Sequence, residues 1–200
     1  MKNDLIDFHS HHPSLQGERV IQDGIDTQGR HPWKLNPNNT SSHIHSITSS
    51  LLAVGESGLD RLCDTPYDLQ LQVFREEVQR SETIGKPLFL HCVRAIDDML
   101  HIRKELNARQ PWIWHGYRGN AQQLEQLLKL EAFYFSFGIH YNKQALLACP
   151  LDRLLLETDE NTTIPIADHY AKVAHLKGIS LEELVQQMHE NFHTLFGEEA

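Results

Sequence analysis

Seven short apolar runs punctuate the chain, and most of them stop on a polar residue: DLIDFH at 4–9, ERVIQDG at 18–24, LLAVGES at 51–57, PLFLHC at 87–92, WIWHGY at 112–117, FYFSFG at 133–138 and RLLLET at 153–158. Continuous runs of this length predict strands buried on both faces, the pattern of a parallel sheet. Between the later runs the spacing becomes that of amphipathic helices, in YDLQLQVFREEVQRSETIG before Lys86, AIDDMLHIRKELN after the His91 run and NAQQLEQLLKLE after the His115 run. Strand then helix, repeated, predicts βα units. Seven or eight strands favour an α/β fold of the (β/α)8 TIM-like barrel type over an open doubly wound sheet, although periodicity alone does not separate the two.

The pattern thins near the N-terminus. Between His12 and Pro32 there is room for a strand but not for a full helix on each side of it. The barrel is therefore expected to be shortened, with reduced helices after the first strands, and to fall about 50 residues below the usual ~250. Residues 34–50 begin with turn chemistry and predict one helix capped near Asn39 or Thr40. His43 and His45, two apart on that helix, would face different ways and stand at the surface. From Ile166 to Phe196 two helices are predicted, broken at Gly178, with Ser180 and Glu183 spaced as a capping box.

Composition narrows the class. Two hundred residues, 40% of them apolar, suit one core and a single domain over 1–200. No apolar run is long enough to span a bilayer, and the N-terminal MKNDLIDFHS lacks the apolar stretch of a signal peptide, so a cytoplasmic protein with no membrane partner is expected. Cys63, Cys92 and Cys149 are an odd number without close pairing, which argues against a disulfide framework or a cysteine zinc site. A formal charge of −9 would repel a polyanion, so nucleic acid would need a local patch or bound metal to hold it. No Gly-rich dinucleotide or phosphate-loop motif follows a strand.

Fourteen histidines are many for this length, and several fall at spacings a metal can use. His9 and His11 lie two apart on a strand, which puts both imidazoles on one face near its end. Such pairs also arise by chance. Glu56 follows the LLAVG run between Gly55 and Gly58, which permit a tight turn; a carboxylate there can bridge two ions or be an ordinary strand-end acid. His91 and His115 terminate otherwise apolar runs in successive βα units, and a hydrogen-bonded core histidine is the alternative for each. Asp159 closes RLLLETD. Four histidines, a glutamate and an aspartate at strand ends form a set of hard and borderline metal ligands, on the face where β/α barrels carry catalysis. His140, after FSFG, either touches substrate or serves as a hydrogen-bonded structural group.

These motifs, in their order, resemble the TatD family of metal-dependent hydrolases, amidohydrolase-like TIM barrels. The resemblance is carried by DFHSHH at 7–12, GRHPW at 29–33, GESGLD at 55–60, LHCVRA at 90–95, HGYRG at 115–119, LLLETD at 154–159 and the tail KGISLEELVQQMHENFHTLFG at 177–197. It implies two divalent metal ions, zinc, manganese or magnesium, with His9, His11, Glu56 and Asp159 on one, His91 and His115 on the other, and Glu56 bridging. It also implies that His31 and Arg94 line the substrate end, and that the reaction is phosphodiester cleavage, notably at DNA ends. The chain departs from the family where Glu160 and Asn161 follow the ETD in place of a small residue and proline, with a short loop after them. The missing early helices leave a flank that a second subunit of a homodimer would fill.

The ligands imply the mechanism. Two ions lower the pKa of a shared water towards neutrality, and Asp159 and Glu56 are the catalytic carboxylates, Asp159 orienting that water and taking its proton. The expected activity is deoxyribonuclease cleavage of the 3′–5′ exonuclease type. The alternatives are hydrolysis of another small ester, amide or phosphoester, a phosphoesterase of the PHP type, which also opens with an aspartate and an H-x-H pair, and a metal-binding protein that has lost turnover.

Overall fold

The structure, a computed structural model, describes residues 5–36 and 51–197. The helix expected around Asn39, with His43 and His45, lies outside the described residues. Among them are eight strands, which alternate with helices from the fourth onward, and the strands pair in parallel. The chain divides into two compact units, one of Gly24–Ile113 and one of Met1–Asp23 with Trp114–Ala200.

In the unit of Gly24–Ile113, strand β3 (Thr27–Gln28) pairs with β4 (Ala53–Asp60), and β4 with β5 (Leu88–Val93), whose neighbour begins at Trp112. Helix α1 (Tyr67–Ile84) joins β4 to β5, and α2 (Ile96–Glu105) follows β5. Helix α1 turns Val73, Phe74 and Val78 inward, together with Glu77. That buried carboxylate is met by Arg30 Nε at 2.6 Å and Arg80 Nη1 at 3.3 Å, which offsets the desolvation a buried charge would otherwise suffer. The helix stops where Gly85 takes a left-handed φ of 67°.

The other unit opens with β1 (Ile6–Ser10) and β2 (Arg19–Gln22) and resumes after β6 (Trp112–Trp114) with α3 (Ala121–Leu127), β7 (Phe133–Phe137), α4 (Lys143–Ala148), β8 (Leu154–Leu156), α5 (Ile166–Lys177) and α6 (Leu181–Phe196). The chain beyond β8 runs alongside β1, Ser10 bridging to Asp159. The Tyr170 hydroxyl, from α5, donates to the Ile6 carbonyl at 2.7 Å. The Asn191 amide, from α6, donates to Leu151 and Leu154 at 2.7 and 2.8 Å. The expected break between the last two helices is present, with Gly178 left-handed at φ 69° and the Ser180 hydroxyl accepting from the Glu183 N–H.

Two expectations change. Strand β3 is too short to leave an alternating pattern, and no apolar run announces it. Glu56 does not follow a strand in a tight turn, because β4 continues through it to Asp60. Gly58 serves close strand packing, since a Cβ there would overlap the carbonyl oxygen of His91, its partner in register, while Gly55 adopts a φ of 129° and a Cβ there would come within 2.7 Å of the Phe89 carbonyl oxygen. Between β1 and β4 the described residues form no α-helix, only a 3-10 turn at Pro32–Lys34, in keeping with the expected shortening.

Gly58→Ala must therefore push β4 away from β5. Overpacking of this kind costs about 1–3 kcal/mol, and urea denaturation is expected to show that loss, with Ser57→Ala in the same strand as the mild comparison.

Candidate metal centre

In the unit that contains β1, strand pleating brings the first histidine pair together. His9 is buried within β1 and His11 lies just beyond it, their rings 5.2 Å apart. Asp159 faces both, its Oδ1 lying 3.5 Å from His11 Nε2 and 3.9 Å from His9 Nε2. Its backbone is fixed to β1 on either side, the Asp159 N–H donating to the His9 carbonyl at 2.9 Å and the His11 N–H to the Asp159 carbonyl at 3.2 Å. The residue sits at φ 57°, a left-handed conformation that a non-glycine residue adopts only when its surroundings enforce it. His115, one residue past β6, places its ring 4.6 Å from that of His9, tilted by 48°.

Three acids here were not assigned from the sequence. Asp23, after β2, places Oδ2 3.6 Å from His11 Nδ1. Glu157, wholly buried, lies 3.7 Å from His115 Nδ1 and accepts the Gly116 N–H at 2.5 Å, while its Oε2 has no hydrogen-bond partner among the described residues. Asp7 accepts both the N–H and the hydroxyl of Thr158, at 3.0 and 2.5 Å. Burial nevertheless dominates, and pushes the Asp7 carboxyl up to about 7. The signal for Asp7 was its position two residues before His9 on the same face of β1, and for Glu157 its place in the ETD motif just past β8.

In the unit of Gly24–Ile113, the buried Glu56 carboxylate faces two imidazoles. Its Oε1 lies 3.1 Å from His91 Nδ1 and 3.2 Å from His31 Nε2, and the two rings are 4.5 Å apart. The Trp33 N–H donates to His31 Nδ1 at 3.2 Å, so the proton of a neutral His31 sits on Nε2, towards Glu56. His31, expected at the substrate end, thus belongs to the Glu56 cluster. The other His91 nitrogen lies 3.1 Å from Asp60 Oδ2, which also accepts the Trp33 indole N–H at 2.7 Å. Burial raises the proton affinity of Asp60, but hydrogen bonds from Trp33, the Leu62 N–H and His91 outweigh it and hold the carboxyl below its ordinary value. His91 lies two residues inside β5, and Arg94, just past the strand, is exposed with φ 53°. Arg118 and His140 are exposed as well.

A family model described as TatD related DNase matches residues 10–197. The chain belongs to the TatD family. Among similar TatD-family proteins is an uncharacterized metal-dependent hydrolase of Buchnera aphidicola, 31% identical, the match covering 84% of this chain and 72% of the relative. A 3′-5′ ssDNA/RNA exonuclease TatD of Edwardsiella piscicida is 30% identical over 71% of this chain and 58% of its own. The crystal structure of YJJV, a TatD homologue from Escherichia coli, superposes with a TM-score of 0.65 at 26% identity, covering 74% of this chain and 64% of that one. The fold is thus the α/β, TIM-barrel-like fold of TatD proteins.

The donors fit a divalent ion. In the unit containing β1, ligand atoms of His9, His11 and Asp159 lie within 4.8 Å of one another, as do those of His115, Glu157 and Asp159. In the other unit the same holds for His31, Glu56 and His91. Imidazole with carboxylate is the donor mixture that zinc and manganese accept, and the buried Glu157 Oε2, without a hydrogen-bond partner among the described residues, is an acceptor that a cation would satisfy.

Zinc or manganese added to metal-stripped protein is expected to raise its melting temperature. Binding at a hundredfold over Kd adds about 2.7 kcal/mol of stability, roughly 5–10 °C for a chain of this size. The His9→Ala/His11→Ala variant should show a smaller rise by differential scanning fluorimetry.

Proposed function

We propose that this chain is a metal-dependent phosphodiesterase that removes nucleotides from the ends of single-stranded DNA, in the 3′–5′ direction, using two divalent ions. The observation that carries the reading is the convergence of imidazoles on buried or half-buried carboxylates in each unit: His9, His11 and His115 with Asp159, and His91 with Glu56. The exonuclease named among its relatives supports the substrate class.

Bound divalent ions supply a Lewis acid for a phosphoryl oxygen and lower the pKa of water. The rest falls to the protein. Asp159 orients the attacking water and takes its proton through a carboxylate whose backbone is locked to His9 and His11. Glu56 and Asp159 bring the negative charge that lets cations reside among the imidazoles. Around them Glu157, Asp60 and Asp23 hold ring orientations, as carboxylates behind ligating histidines do. Arg94, exposed, is the group assigned to the phosphate of the strand end.

Acidic balance and the loop after Asp159 argue for a short grip. Asn161 folds that loop on itself, its side chain bonding Ile164 and Thr163 at 2.9 and 2.8 Å. With a net charge of −9, few phosphates are neutralised at once, which favours ends over interior positions.

Elemental analysis of metal-supplemented protein is expected to find about two divalent ions per chain; recovery of none would remove the reading. Glu56→Gln keeps the shape and loses the charge, so metal content and turnover should both fall, turnover by about two orders of magnitude. A screen of single-stranded oligonucleotides, closed circular DNA, bis-para-nitrophenyl phosphate and simple amides is expected to give turnover on linear single strands, with a shallow salt dependence. Efficient cutting of closed circles, or a steep salt slope, would speak for an extended basic groove instead.

A further inference from the structure

Trp33 is anomalous for an aromatic residue. It is 60% exposed, yet its ring is fixed. The indole N–H donates to Asp60, itself 3% exposed, at 2.7 Å. The ring stands edge-on to His31 and His91, with centroids 5.0 and 5.4 Å away and interplanar angles of 84° and 76°. Its backbone is held as well, the Trp33 N–H donating to His31 Nδ1 inside the Pro32–Lys34 turn. A large apolar ring left in water forgoes the burial that aromatic residues ordinarily gain. Here a ring that is mostly exposed is held rigidly against two imidazoles of the Glu56 cluster.

We propose that Trp33 is a stacking platform for the base of the terminal nucleotide, and so a specificity-determining residue for base-bearing substrates; this rests on the phosphodiesterase reading above. A nucleobase is a flat π-system of the same size class, and every base has such a face, so the contact tolerates sequence. Preorganisation matters to its strength. Because the indole N–H and the backbone N–H are both engaged, stacking loses little side-chain freedom on binding. Lys34, which follows Trp33 in sequence, is exposed and places positive charge beside it, the pairing of aromatic and basic groups found where single strands bind, whereas the nearby Arg61 is ion-paired with Asp98.

The decisive comparison is between Trp33→Leu and Trp33→Phe. Both lose the hydrogen bond to Asp60, but only the second keeps a ring. Two readouts are taken on the full chain with manganese: KM and kcat for a single-stranded tetranucleotide, with or without a base on its terminal sugar, and quenching of a terminal 2-aminopurine on binding. The expected result for Trp33→Leu is a KM about tenfold higher on the base-bearing substrate, the scale of one base–aromatic stack, a much smaller change on the abasic one, and loss of quenching. Trp33→Phe should retain most of both signals. Equal KM changes on the two substrates, or quenching indifferent to Trp33→Leu, would overturn the platform. Quenching that depends on Trp33 in a protein that cleaves no phosphodiester would leave the platform standing and overturn the proposed reaction. Neither quenching nor cleavage would overturn both.

Discussion

A carboxylate buried in a protein must be met by donors or by a cation, since an uncompensated charge there costs several kcal/mol. Glu56, Asp60, Glu77 and Glu157 all lie under that constraint, each almost wholly removed from solvent. The chain answers it in two ways. Glu77 is answered by arginine, through Arg30 and Arg80, and that network ties helix to strand. Glu56 and Asp60 are answered by His31, His91 and the Trp33 indole, through imidazole contacts and a hydrogen bond. An arginine pair is closed to anything else, whereas an imidazole can exchange its proton for a metal. The same electrostatic demand thus yields a structural joint in one place and a cluster of candidate metal donors in another.

Strand spacing then decides which residues share a cluster. Parallel strands in register put Gly58 opposite His91, and the missing side chain lets the His91 carbonyl approach. The ring of His91 lies between Glu56 and Asp60, with a nitrogen turned to each. In the β1 unit the equivalent constraint is the backbone pairing of Asp159 with His9 and His11, which sets three donors before any ion arrives.

Much of this was legible because the relevant signals are periodic or punctuated. Apolar runs located seven of the eight strands among the described residues, and the glycine and serine at the last helix break located its boundary. The resemblance to TatD proteins is likewise carried by motifs that stand in or just beyond strands, and by the tail that forms the last helix. What escaped was short or non-local. Strand β3 has two residues, below any period. Glu56 was expected in a turn because glycine flanks it, and the sequence does not distinguish a glycine needed for φ from one needed for proximity. Asp23 reaches His11 by a route only the folded chain reveals. His31 was expected beside substrate, and its place against Glu56 follows from the geometry of the Pro32–Lys34 turn.

The backbone bonds at Asp159 have a consequence for how this chain can diverge. Because its N–H and carbonyl are both spent on β1, the carboxylate takes its position from the strand and not from the segment that follows. Residues 160–165 can then lengthen, shorten or change charge without moving the Asp159 carboxylate. Chemistry and substrate preference are inherited separately at this junction, which makes it a natural point for grafting a foreign loop.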